Sequence, residues 1–276
     1  MADCKYCGKP AGFIHRKHPE CEAVHVKGQS QVVRAVDDAL VATTIPESLP
    51  RLVTRIADSS YISQVEQRAI LVKAWSRALD GIMEHGLPDD SAQARLIQFK
   101  KTFNLTEEEL SAPDAYPRLV KAATLFDLAQ GKLPQRFNVT GNIPVNLQKS
   151  EQVVWAFWNT NYLEDVTHRE YVGASAGVSM RVMKGVYFRT SSFHGRPIDV
   201  TTTRQVDSGF FAATQKNIYF AGTRKSMRIP FAKIVSFQSF SDGIGLIRDA
   251  ANAKRQAFLT GDGWFVYNLV TNLAKL

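Results

Sequence analysis

The sequence predicts an α+β chain built in three successive regions, and three observations carry that reading. All three cysteines fall within the first 21 residues. Residues 26–135 space their apolar side chains three and four apart, as helices do, whereas residues 136–276 set β-branched and aromatic runs between glycines, as strands do. One amphipathic helix is expected after the last strand. At 276 residues, 45% hydrophobic and 22% charged, the chain is long enough for more than one core and has ordinary globular composition. The predicted regions are 1–25, 26–135 and 136–276.

The leader carries its chemistry in a spacing. Cys4-x2-Cys7 is followed ten residues later by His18-x2-Cys21. Two ligand pairs, each two residues apart, can bend around one tetrahedral ion, and zinc takes four nitrogen or sulfur donors in that way. Gly8 permits the tight turn after the first pair, and Phe13 can cover the metal. His15 and His25 compete with His18 for the fourth position; His18 is preferred because its spacing to Cys21 mirrors the first pair. So short a segment cannot bury enough apolar surface to fold alone, and metal supplies the missing free energy. Four protein ligands leave no open position, so the expected role of Zn2+ is structural.

No apolar run approaches the roughly 20 residues of a membrane span, and MADCKYCGKP does not read as a secretion signal. A cytoplasmic location is the expectation, and in a reducing compartment clustered cysteines point to metal rather than disulfides.

In the middle region the clearest helix runs from Ser63 to Gly86, with Val65, Ala69, Val72, Ala74, Trp75, Leu79 and Met83 as its apolar stripe. Ser63 and Glu66 have capping-box spacing, as do Thr106 and Glu109. A helix is expected after Asp89 or Asp90, a short one after Thr106, and another from Pro117 to near Gly131. Val24–Val41 and Pro50–Ile56 add two more.

In the C-terminal region VVWAFWN, GVSMRV, GVYFRT, GFFAAT, NIYFAG and KIVSFQ read as antiparallel strands. Lys216-Asn217 and Ser241-Asp242-Gly243 are expected to turn hairpins. After Asp262, an N-cap, the apolar residues Trp264, Phe265, Leu269, Val270 and Leu273 form a helix that can cover the sheet.

The segment Gly209–Gln238 resembles the central hairpin of bacterial PH-like and GRAM-like domains, matching at Thr214, Lys216, Phe220, Ile229-Pro230 and Lys233-Ile234 and departing at Gln215 and Asn217. Together with the CxxCGKPAGF knuckle and the ending SDGIG...TGDGWFVYNL, the chain resembles an uncharacterised bacterial family that joins a zinc knuckle, a helical middle region and a C-terminal PH-like domain. The resemblance implies that fold and no particular activity.

No phosphate loop, nucleophile elbow or H-E-x-x-H helix is present, and the chain is expected not to be an enzyme. His168 and His194 read as surface residues in loops, and Asp207 and Asp242 as turn-formers. The formal charge of +8 lies mainly in residues 136–276, where 17 Lys and Arg face nine Asp and Glu. Arg181, Lys184 and Arg189 along one strand pair, and Arg224, Lys225 and Arg228 around a later turn, form a candidate ligand-binding set. The expected function is an adaptor whose PH-like domain recognises a protein or peptide. The alternative is binding of nucleic acid or an anionic ligand such as lipid through the knuckle and the basic C-terminal surface.

Overall fold

The computed structural model describes residues 2–12, 16–137, 142–171, 181–183, 186–187, 197–250 and 253–276, with backbone alone for 166–171, 181–183, 186–187 and 197–200. The chain is α+β and forms two compact units, Met1–Lys132 and Leu133–Leu276.

The first unit holds α1 (Pro19–Val41), α2 (Leu49–Ser59), α3 (Gln64–His85), α4 (Asp90–Thr102), α5 (Glu107–Ser111) and α6 (Ala115–Ala129). Its core draws one stripe from each helix: Val32, Val36 and Leu40 of α1, Val53 of α2, Trp75 and Leu79 of α3, Leu96 and Phe99 of α4, Leu110 and Leu119 beyond. Burying the Trp75 ring would strand its indole N–H, and that group donates to the Leu96 carbonyl at 2.9 Å. Both expected capping boxes are formed, at Ser63/Glu66 and Thr106/Glu109. Arg68 of α3 forks onto Glu109 and also reaches the Phe103 and Asn104 carbonyls, so it fastens the α4–α5 turn to α3.

Some expectations change. Helix α1 begins at Pro19, a turn before Val24, because proline and two acidic residues suit a first helical turn. Helix α6 likewise starts at Ala115, before Pro117. Val65 is 79% exposed and the buried side of α3 starts at Leu71, while Glu66 and Arg68 at the start of the helix turn polar groups toward His25 and Glu109.

The second unit holds β1 (Val153–Tyr171), β2 (Arg181–Met183), β3 (Val186–Tyr187), β4 (Pro197–Thr214), β5 (Asn217–Gly222), β6 (Ser226–Pro230), β7 (Ile234–Ser239), β8 (Gly243–Arg248), β9 (Gln256–Leu259) and α7 (Gly263–Leu273). Seven strands form one antiparallel sheet in the order β6-β5-β4-β1-β9-β8-β7, and β2 pairs with β3. The sheet curls. Three strand spacings separate β5 from β9, about 14 Å if flat, yet the Phe220 and Phe258 rings lie 5.6 Å apart. Tyr162, Phe211, Phe220 and Phe258 fill the inside, and Phe265 of α7 packs edge-on against Trp155 at 4.7 Å. Trp264 departs from its expected buried place and is 50% exposed, because the buried face of α7 runs through Phe265, Val266, Leu269, Val270 and Leu273.

Along β1 two residues are extra relative to β4, the first between Val153 and Trp155, which oppose Thr214 and Ala213. Phe157 opposes Phe211 and Thr160 opposes Gly209, so a bulge falls at Trp158 and Asn159, with Asn159 at φ 57°. The β4–β5 turn is Gln215–Lys216, and the Thr214 hydroxyl accepts the amides of Lys216 and Asn217 at 3.2 and 2.9 Å. Buried Glu151 accepts from Thr214, Asn217, Tyr219 and the Gln148 amide, which ties the chain entering β1 to that turn. Its acidity is the sum of opposed effects, burial working against ionisation and these four donors lowering it further than burial raises it.

Candidate metal centre

The first ligand pair sits on a small hairpin. Asp3 and Pro10 form an antiparallel bridge, Cys4 N donates to the Lys9 carbonyl at 2.8 Å, and Gly8, at φ 70°, donates to the Cys4 carbonyl at 2.9 Å. A positive φ of that size is natural to glycine, which is why the turn after Cys7 carries one. The second pair straddles the start of α1. His18 is the N-cap residue, in extended conformation and making no side-chain cap, and Cys21 lies in the first turn.

Cys4, Cys7, His18 and Cys21 therefore converge, with donor atoms all within 4.8 Å of one another. His18 Nδ1 is 3.4 Å from Cys7 Sγ and 3.7 Å from Cys21 Sγ. A tetrahedral ion with zinc-like bond lengths sets S···N edges of about 3.5 Å and S···S edges of about 3.8 Å. The two S···N spacings bracket the first of these edges, and all four donors lie close enough to share one ion. His18 Nε2 donates to the Pro10 carbonyl at 3.1 Å, which leaves the Nδ1 lone pair facing the sulfurs, the outer-shell arrangement that orients a metal-binding imidazole.

The sulfurs differ electrostatically. Burial opposes ionisation of Cys4, but the amides of Cys7, His18 and Tyr6 outweigh it and hold the thiol down at about 6. Burial, followed by the Cys7 sulfur, pushes Cys21 up to about 11. A divalent cation held by these four residues would supply the charge that lets all three thiols ionise together. All three cysteines are free of disulfides.

His25 is committed elsewhere. Its ring is 5% exposed, donates from Nδ1 to the Ser60 carbonyl at 3.1 Å, and sets Nε2 3.3 Å from Glu66 Oε1. Tyr6, between the first two cysteines, packs against it with ring centroids 4.7 Å apart and planes inclined at 35°. An aromatic residue inside the C-x2-C pair is the only sequence signal of that contact. His15 and Phe13 lie outside the described residues.

The basic set is divided. Arg181 opens β2 with only its backbone described, and Lys184 and Arg189 lie outside the described residues, as does His194. His168, expected in a loop, lies on β1, whose ladder with β4 runs on to Tyr171 and Pro197. Arg224 and Arg228 are exposed, and Lys225 Nζ is 3.7 Å from Glu164.

Asp207 also differs from expectation: it belongs to strand β4 and organises another turn. Its carboxylate accepts the Arg224 and Lys225 amides at 2.7 and 2.8 Å, the Thr223 hydroxyl at 3.1 Å and the Ser208 amide at 2.9 Å. Burial disfavours its charge, and these donors overcome that cost and bring its pKa down to about 2. Gly222 makes room, since a Cβ there would stand 2.3 Å from Asp207 Oδ2.

Neither a protein-family model nor a curated protein matches this chain. No helix among the described residues is long and apolar enough to cross a membrane.

Proposed function

We propose that the chain is a zinc-containing, non-catalytic binding protein whose C-terminal unit is a PH-like domain that engages a protein or peptide. Support for zinc comes from the donor set, three sulfurs and one nitrogen within 4.8 Å of one another, which suits that ion better than calcium or magnesium. Support for the PH-like reading comes from the seven-stranded order and the terminal helix that packs on the sheet.

The observation that carries the binding reading is β7. It ends the sheet and pairs on one side with β8 alone among the described residues, while β6, at the other end, curls back so that Met227 meets Gln256 of β9. Val235 on β7 is 67% exposed, and Ile247 on β8, which opposes the following residue Ser236, is 36% exposed. An extended peptide can add to such an edge through backbone hydrogen bonds, with apolar side chains choosing its sequence.

Two measurements test this. Metal analysis of the purified chain is expected to find one zinc per molecule, and Cys7→Ser is expected to lose it; a metal-free wild-type chain contradicts the reading. Peptides selected by display should bind at least tenfold more weakly to Val235→Pro. Val235 lies at a register irregularity between Ile234 and Ser236, where proline is tolerated without breaking the ladder to β8. Unchanged affinity, or no selected peptide, counts against the edge.

A further inference from the structure

The knuckle touches more than its own ligands. Tyr6 is anchored on both sides by Cys4 and Cys7, and its ring rests on His25 of α1 and lies 6.2 Å from Tyr61, in the connection between α2 and α3. His25 stands one helical turn after Cys21. Its two ring nitrogens face the Ser60 carbonyl, at the end of α2, and the Glu66 carboxylate. Glu66 is the same carboxylate whose other oxygen accepts the Ser63 amide and hydroxyl at 2.9 and 2.8 Å to cap α3. Three residues beyond His25, Gly28 brings α1 against Ser60 so closely that a Cβ would stand 2.1 Å from the Ser60 Cβ.

We infer that metal occupancy of the four-donor cluster controls the packing of the α2–α3 junction, with Tyr6 as the coupling side chain. The inference rests on the metal reading given above. With the ion bound, the two tethered cysteines present the Tyr6 ring to His25, and the His18 and Cys21 ligands hold the first turn of α1 in register with it. Without the ion, the hairpin at residues 2–12 keeps only a few exposed backbone hydrogen bonds, too little to hold a segment of that size. Tyr6 then leaves its ring contact, the start of α1 frays, and His25 loses the cover that keeps water from its bonds to Ser60 and Glu66. Metal binds the docked arrangement more tightly than the undocked one, so it shifts the junction toward the packed state by mass action. Linkage makes the effect reciprocal: whatever loosens the junction weakens metal binding by the same factor.

Hydrogen exchange on the full chain tests the inference, with zinc content measured on each sample. On chelation the amides of residues 57–66 are expected to exchange at least tenfold faster, together with those of residues 2–12. Tyr6→Ala, still carrying zinc, is expected to accelerate residues 57–66 while the amides around the four ligands stay protected, and its zinc affinity should fall by about five- to 150-fold, the span of a typical coupling between sites. Tyr6→Phe keeps the ring and should behave as wild type. Acceleration confined to residues 2–25, or a Tyr6→Ala chain with unchanged exchange at 57–66, overturns the coupling while leaving the metal centre standing. A wild-type chain that holds no zinc overturns both.

Discussion

The carboxylate of Asp207 accepts the amide of Lys225 at 2.8 Å, across two strands of the sheet. The turn that displays Arg224 and Lys225 is thus shaped by a buried negative charge beneath it. Asp207→Asn turns an amide N–H toward these donors and should cost about 2 kcal/mol at pH 7, in line with hydrogen bonds to charged groups. Because the folded carboxyl sits at about 2, below its usual value near 3.8, its contribution is complete above about pH 4 and disappears as pH falls toward 2. Urea unfolding of both chains across that range should show the difference closing at the acid end.

Arg68 offers a second acid-sensitive fastening. The guanidinium beside Glu109, helped by the Thr106 amide, holds that carboxyl down at about 2. Lysine keeps the charge and loses the fork, and it cannot reach the two carbonyls as well as the carboxylate. Arg68→Lys should lose about 1–2 kcal/mol at neutral pH. The gap is expected to narrow as pH drops from about 4.5 to 2, since a depressed carboxyl stabilises only where it is ionised. Chemical denaturation at several pH values checks this, and a constant gap contradicts it.

Gly28 meets Ser60 with no space for a methyl group. Gly28→Ala should therefore destabilise the first unit by about 1–3 kcal/mol despite alanine's better helix propensity. A thermal scan suffices, and a raised melting temperature would show that α1 and α2 can separate cheaply.

Glu151 gathers four donors at a site 8% exposed. Glu151→Ala leaves several buried donors unmatched and should cost about 3 kcal/mol, whereas Glu151→Gln keeps one acceptor and should cost about half as much. Equal effects would show that water replaces the carboxylate freely.

Much of this architecture was legible in the residues. The capping boxes and the ligand spacing each express a local rule and reappear in the structure at the expected positions, and of the expected α3 stripe Ala74, Trp75 and Leu79 are buried. What stayed hidden depends on distant partners. The stretch Thr201–Gln205 belongs to β4, yet its mostly exposed polar residues show no apolar alternation, and four-residue β9 is too short to declare itself. Asp207, flanked by serine, looks like a turn residue because the turn it serves lies 16 residues further along. Trp264 and Val65 fit a helical stripe by spacing, and only the position of neighbouring elements decides that they face solvent.

Strand β1 lies between β4 and β9, and the Gln256 amide that reaches Tyr162 is 94 positions away along the chain. A nascent polypeptide can pair the first of these neighbours early, but the partner of Tyr162 on the other emerges 94 residues later. Contacts of such sequence separation slow folding, because loop closure must precede any gain from burial. Removing residues 256–276 would open the middle of the sheet, separating β8 and β7 from the strands they complete. Shortened versions of this protein should accordingly be cut between its two units and not inside the second.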